Sequence, residues 1–168
     1  MAIEIAAAVG LLIDSEGPGD RERFADAFRE VWEGLLPADR EVIAAYWAKG
    51  TPMQEESPVV SLVANYFLPG NNDNFGHMLT FNAAAADLFA EAHFLCSLIA
   101  HELGHVYRFA TESPAHSAFP PDKQAKEDEA DAKAEEWGYN MPEMRVWATE
   151  QAEQVAECGV EIPEGGRW

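Results

Sequence analysis

The chain has 168 residues, 48% of them hydrophobic, and no apolar run near the ~18 residues a membrane-crossing helix needs, so it is expected to bury one core as a single domain over residues 1–168. Its 30 Asp and Glu against 11 Lys and Arg give a net charge of −19, which repels phosphate backbones and anionic headgroups and argues against nucleic-acid or membrane partners. The two cysteines, Cys96 and Cys158, have no CxxC partner and fit reduced thiols of a cytoplasmic protein better than a disulfide framework.

Ile3 to Ile13 is apolar and Ala-rich, but it contains Glu4 and no preceding Lys or Arg; a strand or helix packed in the core is expected rather than a signal peptide. Asp20 should cap an amphipathic helix in which Phe24, Phe28, Val31 and Leu35 fall at helical spacing, ending around Gly34 to Pro37. A second helix is expected from Ala38 to Lys49, with Val42, Ala45, Tyr46 and Ala48 before Gly50. β-Branched and aromatic content then predicts strands over Pro58–Phe67 and Gly76–Phe81, joined by the turn-forming run Pro69 to Asn74. One helix should span Asp87 to Ala110, and another should start at the cap Asp122 and run to Trp137, stopping at Gly138. Pro142 to Glu157 reads as a last helix and Gly159 onward as a polar tail.

Within the Asp87–Ala110 stretch lies His101-Glu102-Leu103-Gly104-His105, an HExxH string. Residues i and i+4 are about one helical turn apart, so His101 and His105 leave the same face and can hold one ion. Glu102 lies about 100° round from His101, within reach of a water at that ion without being forced to ligate. Ala92, Cys96, Ile99, Leu103, Val106 and Ala110 recur as an apolar stripe on the other side. The helix should therefore be anchored in a core on one face and present paired imidazoles on the other. Gly104 costs about 1 kcal/mol relative to Ala inside a helix, which points to close backbone packing between the two His.

Two imidazoles do not complete a catalytic zinc site, which takes three protein ligands and leaves a position open. The helix after Asp122 carries Glu127-Asp128-Glu129-Ala130-Asp131. Glu127 and Asp131 are an i, i+4 pair and can both face the HExxH helix, one ligating while the other accepts a hydrogen bond from a ligating imidazole. Acidic surface helices are ordinary in a chain this rich in Glu, so the residue types alone leave the choice open.

HELGHVY, a short Pro-rich connection and the E-x-E-A-D-x-x-A string together resemble the Glu-zincin metallopeptidases, particularly the small ImmA/IrrE-type and SprT-like domains and the HtpX/CAAX-protease group. The resemblance covers roughly Cys96 to Gly138. It implies Zn²⁺ held by His101, His105 and Glu127, with Glu129 the lesser alternative, Asp131 orienting a ligand, Glu102 as general base, and a protein or peptide as substrate. ImmA/IrrE-type chains usually have Asn where this chain has Asp131, the membrane proteases have transmembrane helices, and the acidity of the chain sits poorly with a SprT-like role near DNA. The implied fold is α+β and zincin-like, with the active-site helix and the Glu-bearing helix packed with a small antiparallel β-sheet and the N-terminal helices. In zincins the strand nearest the cleft binds extended substrate by strand addition, and Gly76–Phe81 is the matching segment.

Tyr107, Tyr139, His77 and His116 are each chemically able to donate to a developing oxyanion. His77, His93 and His116 otherwise read as structural histidines, because only His101 and His105 have metal spacing. The expected activity is zinc-dependent peptide hydrolysis. Two competing readings are a zinc-binding regulatory or protein-interaction module without efficient proteolysis, and a structural protein in which the motif is accidental.

Overall fold

The computed structural model describes residues 12–14, 18–48, 64–66, 79–117 and 122–157. Helices dominate them. Pro18 opens α1 (Pro18–Gly34) and Pro37 opens α2 (Pro37–Ala48), positions where the missing N–H of proline costs nothing. Asp20, expected as a cap, therefore lies inside the first turn of α1. Phe28, Val31 and Leu35 are buried as their spacing requires, whereas in α2 the buried apolar residue is Ile43, with Val42 only half-buried and Ala45 exposed.

The expected continuous helix over Asp87–Ala110 is two helices, α3 (Ala83–Glu91) and α4 (Leu95–Ala110). His93 breaks it by adopting φ 64, and the turn closes with the Phe94 N–H on the Phe89 carbonyl at 2.7 Å and the His93 N–H on the Ala90 carbonyl at 3.0 Å. The far end of α4 stops in the same way, with Glu112 at φ 54 and the Ser113 N–H on the Arg108 carbonyl at 2.9 Å. Left-handed turns usually announce themselves by Gly or Asn, and here they fall on His and Glu. The short α5 (Pro114–Ser117) then leads to α6 (Lys123–Glu136). As expected, Asp122 caps α6 by accepting from the Ala125 N–H at 3.1 Å, and Gly138, at φ 95, ends it. The last expected helix is also two, α7 (Met141–Glu150), capped by Asn140, and α8 (Ala152–Glu157).

The strands correct the expected fold class. β1 (Leu12–Asp14), β2 (Ala64–Tyr66) and β3 (Leu79–Asn82) form a strip in the order β1-β3-β2. β3 pairs in parallel with β1, Leu12 opposite Thr80, and antiparallel with β2, Ala64 opposite Phe81. An α+β domain built on a small antiparallel sheet does not fit described residues that are overwhelmingly helical, with strands of only three or four residues and a parallel pairing among them. A parallel partner far away in the chain leaves no local signal, which is why a hairpin-like meander was the natural expectation. β3 is also central rather than an edge, so its main-chain groups already face partners on both sides and cannot take an added strand. Residues 76–78 of the expected segment lie outside the described residues, as does most of Ile3–Ile13.

α4 runs through the middle of the helices and packs on α1, α2, α3, α6 and α7. It is buried nearly all round, from Ser97 to Val106 without a gap, so the expected division into a core face and a free imidazole face does not hold. Ile99, Leu103 and Val106 fill one side, each stabilising the fold by about 1.5–3 kcal/mol through removal from water. The other side is covered by α6. At the crossing, a Cβ on Gly104 would lie 2.7 Å from the Ala130 carbonyl oxygen and 3.2 Å from the Ala130 Cα, a backbone contact that cannot give way by a rotamer change. Gly104→Val should therefore push α6 off α4, costing about 1–3 kcal/mol by overpacking and weakening metal binding at the same time. Thermal melts and zinc titration of the variant would check this, and wild-type values for both would refute the close approach.

No helix among the described residues is long and apolar enough to cross a membrane.

Candidate metal centre

The contact at Gly104 sets the distance between two helices and so brings their polar residues together. α4 supplies His101 and His105, 1% and 2% exposed, and α6 supplies Glu127 and Asp131, one turn apart on the face toward α4. The Nε2 atoms of His101 and His105 are 3.1 Å apart. Glu127 Oε2 lies 3.1 Å from His101 Nε2, and Glu127 Oε1 lies 3.5 Å from His105 Nε2. Among the described residues, His101, His105 and Glu127 are the one group whose donor atoms converge closely enough to hold an ion.

These separations fit a zinc ion. A tetrahedron with bonds of 2.0–2.1 Å has donor-to-donor edges of about 3.4 Å, close to the three distances here. Two imidazole nitrogens and a carboxylate are also the donor types that Zn²⁺ takes. Glu127 Oε2 is buried 3.1 Å from His101 Nε2 without a hydrogen bond of good geometry. A cation between the three would satisfy all of them.

Asp131 fixes the ring that carries the first donor. Its Oδ1 lies 2.7 Å from His101 Nδ1, so Nδ1 carries the proton and Nε2 is the nitrogen left to ligate an ion. Burial would push the His101 imidazole down, but the hydrogen bond with Asp131 and the adjacent Glu127 carboxylate overcome that and raise its pKa to about 9. Burial holds His105 below the ordinary histidine value, as it must where two rings meet at 3.1 Å and cannot both be cationic. For Glu127 and Asp131 burial acts upward, yet the imidazoles bonded to them hold both carboxyls below the usual range.

Glu102 is wholly buried, and neither carboxylate oxygen has a hydrogen-bond partner among the described residues. Burial pushes its pKa up to about 8, with the charge on His101 pulling the other way. Burial thus favours the neutral carboxyl group, and a cation beside it would favour the carboxylate that can accept a proton.

Arg145 of α7 was not singled out by sequence. Its Nε and Nη2 donate to Asp131 Oδ2 and Oδ1 at 2.9 and 2.7 Å, and Nη2 lies 3.9 Å from Glu127 Oε2. Trp147, two residues on, packs edge-on against Phe89 at 4.9 Å and tilted by 40° against Phe94 at 5.2 Å, which seats α7 on the α3–α4 break. No spacing rule links Arg145 to the HExxH string, so no signal in the chain marks it.

The remaining expected residues fall elsewhere. Glu129, the lesser choice for third ligand, has its carboxylate bonded by the Ser113 hydroxyl instead. Tyr107 packs at 85° to the Trp137 ring, with Lys133 Nζ 4.2 Å above its own ring. Tyr139 sits with its hydroxyl 3.6 Å from where a Gly34 Cβ would be. Neither tyrosine is part of the metal cluster. His77 lies outside the described residues, and for His116 only the backbone, in α5, is described. His93 is exposed at the helix break. Cys96 is a free, half-buried thiol whose pKa burial pushes up to about 11, and Cys158 lies outside the described residues.

If Glu127 ligates and Glu129 does not, Glu127→Ala should weaken zinc binding by more than the roughly 10- to 100-fold typical of residues behind a ligand, and Glu129→Ala should leave it nearly unchanged. Asp131→Ala should fall between. Competition with a chromophoric chelator measures all three, and the reverse order would move the ligand to Glu129.

No protein-family model matches this chain, and neither a curated protein nor a solved structure does.

Proposed function

We propose that the protein is a zinc-dependent peptidase in which His101, His105 and Glu127 hold the ion and Glu102 is the general base. One observation carries the reading: two imidazoles and a carboxylate converge at tetrahedral-edge distances beside a buried carboxyl group that has no partner of its own. The resemblance of HELGHVY and the following E-x-E-A-D-x-x-A string to Glu-zincin metallopeptidases supports it.

A zinc ion bound there would supply Lewis acidity, polarising a peptide carbonyl and lowering the pKa of water toward about 7. Glu102 accepts the proton of the attacking water and delivers it to the leaving amine. With the ion bound, His101 and His105 would each offer an Nε2 lone pair, His101 with its Nδ1–H donating to Asp131. The substrate class is protein or peptide. The charge of −19 disfavours nucleic acid and anionic membranes as partners, and the free thiol of Cys96 fits a reducing, cytoplasmic setting.

The burial of His101, Glu102 and His105 at 2% exposure or less favours a second reading, a zinc-binding regulatory or interaction module that holds the ion without turning over substrate. Incubating the zinc-loaded protein with a diverse peptide library separates the two. Cleavage that is abolished by chelator and restored by zinc is the expected result. Stoichiometric zinc with no cleavage of any peptide would favour the regulatory module.

A further inference from the structure

We propose that Arg145 is a positioning residue of the metal centre, acting through Asp131 from α7. The inference rests on the zinc reading above and concerns what keeps that site assembled. Arg145 grips both oxygens of Asp131 with two donors, Nε to Oδ2 at 2.9 Å and Nη2 to Oδ1 at 2.7 Å. Such a fork fixes the plane of the carboxylate as well as its position. The oxygen that Nη2 holds is the one bonded to His101 Nδ1 at 2.7 Å. Orientation therefore passes from the guanidinium through one carboxylate to the ring of a ligand.

Without the fork, Asp131 would be a mobile carboxylate one turn from Glu127 and close to two imidazoles, free to turn an oxygen toward the ion and compete with Glu127. With both oxygens engaged, it can serve His101 only as an acceptor. Charge gives a second reason. Glu127 and Asp131 place two carboxylates in a largely buried volume, and Glu102 adds a third when it ionises to act as base, more negative charge than one divalent ion offsets. The guanidinium, only 15% exposed and 3.9 Å from Glu127 Oε2, supplies the missing positive charge. Arg145 is placed to do this by the seating of Trp147 on Phe89 and Phe94.

The test is zinc affinity, measured by chelator competition in the full chain, for Arg145→Gln and Arg145→Lys alone and in an Asp131→Asn background. Arg145→Gln should weaken zinc binding about 10- to 100-fold, as expected of a group behind a ligand. Arg145→Lys keeps the charge but loses the fork, and its affinity should lie nearer to that of Arg145→Gln than to wild type. In the Asp131→Asn background the Arg145→Gln change should alter affinity by less than about 3-fold, because the residue through which it acts is already impaired. A general structural role would move the melting temperature of the zinc-free protein but would not produce this non-additivity in affinity. Wild-type affinity in Arg145→Gln, or equal losses in both backgrounds, would overturn the proposal. Should Arg145→Gln fail to fold, Arg145→Lys carries the same comparison, and wild-type affinity there would reject the fork. A wild-type chain that binds no zinc would instead sink the metal reading itself, so the two failures are distinguishable.

Discussion

Glu102→Gln should abolish nearly all peptide hydrolysis while leaving zinc content unchanged. Glutamine has the same shape and can still hydrogen-bond, but it cannot accept a proton from water at neutral pH, and general-base catalysis is worth about 10²- to 10⁴-fold. The environment makes the substitution unusually clean. Glu102 is wholly buried and has no hydrogen-bond partner among the described residues, so its replacement by the isosteric glutamine breaks no hydrogen bond and removes a carboxyl group that burial already pushes toward neutrality. Stability should therefore hold or rise slightly. Turnover and elemental zinc analysis on the same preparation test the claim. Undiminished cleavage by Glu102→Gln would remove Glu102 from the chemistry.

His105→Ala should lose zinc and much of the protein's thermal stability. An ion that binds only the folded state stabilises it by about 4 kcal/mol when present at 1,000 times its dissociation constant, which for a chain of this size corresponds to a melting shift on the order of 10 °C. The ligands join α4 to α6, so the ion would clamp the two helices that meet at Gly104. Wild-type protein should melt lower after chelation and recover with zinc, whereas His105→Ala should not respond to either treatment. His101→Ala should behave alike, with the added cost of leaving Asp131 and Arg145 without the ring they face. If the wild type, supplied with zinc, carries no metal and melts identically with chelator, no zinc centre exists here.

The sequence carried the parts of the site that obey local rules. His101, Glu102 and His105 are placed by helical periodicity, Glu127 and Asp131 by the same periodicity on a helix whose cap at Asp122 and stop at Gly138 follow from residue type. Gly104 marked the helix crossing because a glycine inside a helix needs a reason. What was illegible depends on contacts between distant segments. Nothing near Leu79 to Asn82 encodes that its parallel partner is Leu12 to Asp14, so the class of the sheet and the centrality of β3 could not be read. His93 ends α3 in a left-handed conformation without Gly or Asn, so α3 and α4 read as one helix. Arg145 reaches Asp131 only because α7 is seated by Trp147, a tertiary contact with no periodicity of its own.

The asymmetry between the helix pair and the strip also bears on how the chain folds. His101, His105 and Glu127 come from two helices joined by a single connection, each able to form turn by turn, so their meeting is a local event. The strip draws on three segments of three or four residues separated by long stretches of chain, none of which persists alone. Local helical contacts form faster than non-local strand pairings, and the order of events follows. Amides of α4 and α6 should gain protection from pulsed hydrogen exchange before those of β3, so that a zinc-competent half of the molecule exists while the rest of the chain is still searching; protection of β3 first would reverse that order.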